Sequence, residues 1–186
     1  AEKLLSTDAM NYSQVQFSED GKYLIATGHL NGTKIYFVNH MYRFAWPSMD
    51  ARIELAVGLD RPFNDWEVSA HSIFASIEDQ GVDRVVQISI ETGEVKPTLG
   101  GESGSITGLS VAGEAMAYTY QHIAAPAEVF VWNAGKSIAI SKANDAVLST
   151  MDLPKSEVFW TKSSTAVAST QRLPAIFLGR KNSLRL

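Results

Sequence analysis

Apolar and polar residues alternate along almost the whole chain, the two-residue period expected of strands with one buried face. In "YSQVQFSEDGKYLIATGHLNGTKIYFVN" Val15 and Phe17 alternate with polar neighbours, Asp20-Gly21 supplies a hairpin turn, and "KYLIATG" returns as a second strand. Asn31-Gly32 marks another turn, into a third strand "TKIYFVN". The same order recurs in "WEVSAHSIFASIEDQGVDRVVQISIETGEV", with a long strand ending at Glu78, a glycine turn, a strand from Arg84 to Ile90 and a turn at Thr92-Gly93. A third version, "ITGLSVAGEAMAYTYQHIAAPAEVFVWNAGKSIAIS", turns at Ala112-Gly113, runs its third strand from Glu128 to Trp132 and turns again at Ala134-Gly135.

With the third strand as marker, Tyr36, Val86 and Val129 stand 50 and then 43 residues apart, the length of a propeller blade. Fourth strands fall near Arg52 to Ala56, Val95 to Thr98 and Ser137 to Ser141. Residues 113–125 also fit a helical stripe through Ala112, Ala115, Met116 and Ile123, but Met116, Tyr118 and Tyr120 alternate, which favours a strand. The expected fold is therefore all-β, a partial β-propeller of about three four-stranded antiparallel blades with flanking strands. Its divisions are an outer strand of a preceding blade in 1–13, blades in 14–60, 61–100 and 101–143, a connector in 144–164 and an atypical tail in 165–186. Propellers close with four to eight blades. Three are too few, so the ring is expected to be completed by further chain or by a second copy, unless the blades form an open stack with covered edges.

Composition narrows the function classes. At 45% hydrophobic and 19% charged, 186 residues make one soluble globular domain. A net charge of -4, with sixteen Lys and Arg spread along the chain, argues against nucleic acid. No apolar run is long enough for a spanning helix, so no membrane role is expected. The absence of cysteine removes thiolate chemistry and cysteine metal sites. His29, His40, His71 and His122 fall at no metal-ligand spacing, so no metal ligand is assigned. Two glycosylation tripeptides, at Asn11 and Asn31, are compatible with secretion, although the tripeptide arises by chance about once in a chain of this size.

Several segments resemble a known family. "FSEDGKYL", "GVDRVVQISIETGEV", "LGGESGSITGLSVAGEAMAYTY" and "APAEVFVW" are similar to the propeller of prolyl-oligopeptidase-type serine peptidases, nearest the acylaminoacyl-peptidase and dipeptidyl-peptidase V branch. That group often carries the turn F-S-P-D-G-K, matched by Phe17 to Lys22 with Glu19 in place of proline. Its last blade tends to place proline, a small residue and glutamate before a hydrophobic strand, as Pro126, Ala127 and Glu128 do here. Its connector to the hydrolase domain is matched through Asn144, Leu148, Glu157, Phe159 and Ser163. The resemblance covers about Glu2 to Ser164; "TAVASTQRLPAIFLGRKNSLRL" carries none of the family's hydrolase motifs. It implies a substrate-gating propeller segment, partnered in the parent by a hydrolase domain and its peptide substrate, with no catalytic triad in this chain.

Candidate chemistry within the chain is sparse. Gly101 to Ser105 falls one residue short of a nucleophile elbow, with Ser105 where the last glycine belongs. Ser110, Glu114 and His122 have the chain order of a hydrolase triad, which defines a third reading as a small hydrolase. The glycines instead fall where the other repeats turn, so 100–104 is read as an inter-blade loop and Ser110 as a strand residue. Glu78-Asp79 and the stretch from Asp60 to Asp65 are read as solvated loop acids. Trp46, Trp66, Trp132 and Trp160 are expected to pack between blades, and Arg172, Arg180, Lys181 and Arg185 to be solvated. No catalytic, cofactor-binding or metal residue is assigned, and no cofactor is expected. The second reading is a stand-alone binding propeller, lectin-like or protein-binding, closed by self-association; loops rich in Trp, Asn and Asp motivate it.

Overall fold

The computed structural model describes residues 9–32, 37–101 and 103–153, together with the backbone of two strands in 155–162 and 172–179. Three four-stranded antiparallel sheets follow one another along the chain. The first contains β1 (Met10–Phe17), β2 (Tyr23–Leu30), β3 (His40–Ala45) and β4 (Arg52–Leu55). The second contains β5 (Phe63–Ser69), β6 (Ser72–Asp79), β7 (Val82–Ser89) and β8 (Val95–Gly100). The third contains β9 (Ser105–Ala112), β10 (Ala115–His122), β11 (Ala125–Asn133) and β12 (Lys136–Ala139). Every sheet pairs its strands in chain order, which is the meander of a propeller blade. Ala115–His122 is a strand, as the alternation of Met116, Tyr118 and Tyr120 requires.

Side-chain alternation puts a different apolar set on each face of a sheet, and the blades stack through those faces. Ile25, Met41 and Leu55 of the first blade meet Trp66, Ile73, Ala75, Ile77, Val86 and Ile88 of the second, all buried. On the other face of the second blade, Phe74 and Val85 meet Ile106, Leu109, Met116 and Tyr118 of the third. Each buried Val, Leu, Ile, Phe or Met among them contributes about 1.5–3 kcal/mol. Polar contacts reinforce the first seam. Arg43, 13% exposed, donates from Nη1 to the Ile90 carbonyl at 2.8 Å and to Glu91 Oε2 at 3.1 Å, with its guanidinium 4.8 Å above the Tyr23 ring. The far faces differ: that of the first blade carries the buried cluster of Leu24, Ala26, Tyr42 and Phe44, whereas Val129, Ile138 and Ile140 of the third blade are exposed.

Three sequence expectations differ from the structure. The first blade's third strand is His40–Ala45, whereas alternation placed it at 33–39. Burial explains the shift: Met41, Tyr42 and Phe44 are buried, while Phe37 is exposed and stacks on His29 in the β2–β3 loop. Residues 33–36, including the marker Tyr36, lie outside the described residues. The third strands then begin at His40, Val82 and Ala125, in nearly equal steps. Second, β1 starts at Met10, so the division between 1–13 and 14–60 falls inside a strand; the expected outer strand "EKLLST" lies outside the described residues. Third, the connector and tail join each other. After a short helix, α1 (Asp145–Leu148), β13 (Lys155–Lys162) pairs antiparallel with β14 (Arg172–Gly179), across the division placed at 164 and 165. Among the described residues no helix is long and apolar enough to cross a membrane.

Candidate functional site

The first strands of the blades, β1, β5 and β9, lie side by side and repeat one local device. Each is interrupted by a bulge opposite its second strand: Gln14 is passed over between Ser13 and Val15, Asn64 between Phe63 and Asp65, and Gly108 and Leu109 face a single residue of β10. A hydroxyl from the second strand fastens each bulge. Thr27 Oγ1 donates to the Ser13 carbonyl at 2.9 Å, Ser76 Oγ to the Asp65 carbonyl at 3.3 Å, and Thr119 Oγ1 to the Thr107 carbonyl at 2.9 Å. Gly108 takes φ +62° at the third bulge, a conformation that suits glycine. Extra residues at these points twist the strand and free its polar groups for the neighbouring blade.

Those groups form a continuous polar seam along the inner strands. Gln14 Oε1 accepts from the Trp66 indole at 2.7 Å; Gln16 donates to the Trp66 carbonyl at 3.1 Å and accepts from the Val68 amide at 3.3 Å. One blade further on, Asp65 Oδ2 accepts from the Leu109 amide at 2.9 Å, Ser69 donates to the Gly113 carbonyl at 2.9 Å, and Asp83 accepts from the Ile106 amide at 2.8 Å. Side chains of one blade thus satisfy backbone groups of the next, which fixes blade spacing without large side chains at the seam.

The candidate triad is not brought together. Ser110 stands opposite Ala117 within the edge strand β9, Glu114 sits in the β9–β10 turn, and His122 ends β10 about 16 Å from Ser110 at the usual strand rise. Ser110 occupies the register position of Gln16 opposite Ile25 and of Glu67 opposite Phe74. It is a strand residue on the face turned away from the second blade. Ser103 lies in the β8–β9 loop, where its carbonyl accepts the Tyr120 hydroxyl.

The other candidates also have structural partners. Asp65 belongs to the seam, and Asp79 pairs with Arg61 at 3.0 Å and Arg84 at 3.3 Å rather than standing solvated. His29 bonds Asn39 at 2.7 Å, His40 bonds Glu54 at 2.9 Å, and His122 accepts from the Ala124 amide at 3.3 Å. Among the described residues no group of three or more His, Cys, Asp or Glu could hold a metal ion. Trp66 and Trp132 pack between blades as expected, and Trp46 stands edge-on to Phe17 at 5.1 Å. The side chains of Trp160 and Arg172, and all of Arg180, Lys181 and Arg185, lie outside the description.

Two of the quoted motifs prove to be carboxylate-closed turns. In Phe17 to Lys22, buried Ser18 donates to Asp20 Oδ1 at 2.7 Å and accepts from the Tyr23 amide at 2.9 Å, while the Lys22 amide donates to Asp20 at 3.1 Å. The Ser18 hydroxyl, then the Lys22 amide, lower the Asp20 pKa to about 2. In the third blade Glu128 gathers the Ser141 hydroxyl, the Asn144 amide at 2.9 Å, the Ala143 amide at 3.2 Å and the Asn144 side chain at 2.8 Å. The Ser141 hydroxyl leads in lowering the Glu128 pKa to about 2. The motif thus ties the chain leaving the third blade back onto β11.

Pyrococcus horikoshii acylaminoacyl peptidase superposes with a TM-score of 0.70 at 16% identity, over 89% of this chain and 25% of that one. The fold is that of part of a prolyl-oligopeptidase-type propeller. The β-propeller domain of the trilobed protease from Pyrococcus furiosus gives 0.62 at 17% identity, over 81% of this chain and 43% of that domain. A prolyl endopeptidase gives 0.55 at 15% identity, over 92% and 27%. The chain spans about a quarter of the length of the acylaminoacyl peptidase. No protein-family model and no curated protein sequence matches it. The propeller fold read from the quoted motifs is thus met by structures that share few identical residues with the chain.

Proposed function

We propose that this propeller segment is a non-catalytic, substrate-gating element related to that of prolyl-oligopeptidase-type serine peptidases, acting beside a hydrolase domain whose substrates are short peptides. The observation that supports this reading most directly is the seam of β1, β5 and β9. Bulged inner strands locked by Gln14, Gln16 and Asp65 form a stiff wall able to exclude large substrates, while Ser110, Glu114 and His122 lie apart. Supplied in trans to an isolated hydrolase domain of this type, the chain should suppress cleavage of a protein-sized substrate and spare a chromogenic dipeptide. Equal effects on both would overturn gating. Serine-reagent-sensitive turnover by the chain alone, lost in Ser110→Ala, would overturn its non-catalytic character.

The exposed far face of the third blade favours a second reading, a binding propeller completed by self-association. Val129, Ile138 and Ile140 stand uncovered there at 38%, 64% and 61% exposure, and isolated apolar patches of this kind mark interfaces. A discrete dimer in light scattering, dissociated by Ile138→Lys, supports it; a monomer at all accessible concentrations refutes it.

A further inference from the structure

A cleft of about 700 Å³ lies between the inter-blade linker and the second blade, where residues 58–61 cross in front of β6, β7 and β8. Its floor is apolar: Leu59, Ile77, Val95 and Pro97 line it, and Pro97 is exposed within it. The linker and the sheet also bring two guanidinium groups to one carboxylate. Arg61 Nε lies 3.0 Å from Asp79 Oδ1, and Arg84 Nε 3.3 Å from Asp79 Oδ2. Arg84 is short of partners. Its Nε is buried without a hydrogen bond, and its Nη groups donate to no described residue.

Arg61 and Arg84 against Asp79 and the exposed Asp60 on the outer lip leave the cleft lining without net charge, so its selectivity rests on the Arg84 donor fork. Gly100 opposite Arg84 keeps that guanidinium close to the sheet, since a Cβ there would lie 3.1 Å from Arg84 Cγ and Nη1. A planar donor fork beside an apolar floor fits one ligand chemistry, a monoanionic carboxylate bearing an apolar group. We propose that this cleft binds such a molecule, its carboxylate on the free Nη donors of Arg84 and its apolar group on Val95 and Pro97. The cleft is separate from the inner-strand seam, so the proposal stands apart from the gating role.

The test titrates the isotope-labelled full chain with N-acetylleucine and, separately, with N-acetylleucinamide, following backbone amide shifts. Saturable shifts at Val95, Thr98 and Leu99 with the acid, and binding about tenfold or more weaker with the neutral amide, are expected. Arg84→Met should abolish the acid's effect, and Asp60→Asn should tighten binding by removing the competing charge. If Arg84→Met fails to fold, Thr98→Trp decides: it fills the cleft from the outer strand without touching the Asp79 ion pairs, and should abolish binding. Equal shifts with acid and amide, no shift into the millimolar range, or unchanged binding by Thr98→Trp would overturn the proposal.

Discussion

Gly101 and Gly104 stand in one loop between the second and third blades, yet the structure makes opposite demands on them. At Gly104 φ is +108°, outside the range side-chain-bearing residues adopt. A Cβ there would lie 2.5 Å from the Gln121 carbonyl oxygen and 2.6 Å from the Tyr120 ring. Neither neighbour can withdraw freely, because Gln121 is paired with Ser105 and the Tyr120 hydroxyl is held by the Ser103 carbonyl. Backbone strain of ~1–3 kcal/mol and overpacking of ~1–3 kcal/mol bring the expected cost of Gly104→Ala to about 4 kcal/mol. At Gly101 no unusual φ is required, and the nearest atoms to a Cβ, Ser103 O and Tyr120 Oη, are 3.4 and 3.5 Å away. Gly101→Ala should therefore stay within about 0.5 kcal/mol of the native chain. Urea denaturation of both variants, followed by tryptophan fluorescence and far-ultraviolet circular dichroism, measures the difference. Equal midpoints would refute the assignment of Gly104 to a crowded inter-blade turn.

Trp66→Ala should lose about 3–5 kcal/mol in the same denaturation assay, since its ring fills the first seam at 2% exposure. Asp65→Ala should cost about 1–3 kcal/mol and raise hydrogen exchange at the Leu109 amide, which loses its acceptor. Glu128 and Asp20 have native pKa values near 2, below their ordinary 4.5 and 3.8, so the stability they add is complete above those ordinary values and is lost as pH falls toward 2. An acid titration of stability should accordingly be shallower in Glu128→Gln than in the native chain, and identical curves would contradict the Ser141–Asn144 clamp.

Much of the blade order was legible from alternation, because a sheet with one neighbour on each face writes its strands as a period of two. Met116, Tyr118 and Tyr120 show this well: their spacing resolved a helix-or-strand ambiguity. The first blade's third strand was misplaced because "KIYFVN" alternates as well as "HMYRFA" does, and only the pairing of Gly28 with His40 separates strand from loop. The inner-strand seam left little local signal. Gln14, Gln16 and Asp65 are ordinary polar strand residues until the fold brings another blade's backbone beside them. Thr27, Ser76 and Thr119 do recur at matching positions and could have been found by aligning the repeats by their second strands. The pairing of Arg61 with Arg84 around Asp79 joins a linker to a sheet and has no sequence spacing to betray it.

The strictly sequential pairing of strands has a kinetic consequence. Every sheet is sewn from neighbouring hairpins, and the described core clusters join only consecutive sheets, so the molecule behaves as a short linear array whose modules can form and fray in turn. Among the described residues the third module, like the first, meets a neighbouring sheet on one side, and both should exchange their amide hydrogens ahead of the second, which is gripped from both sides.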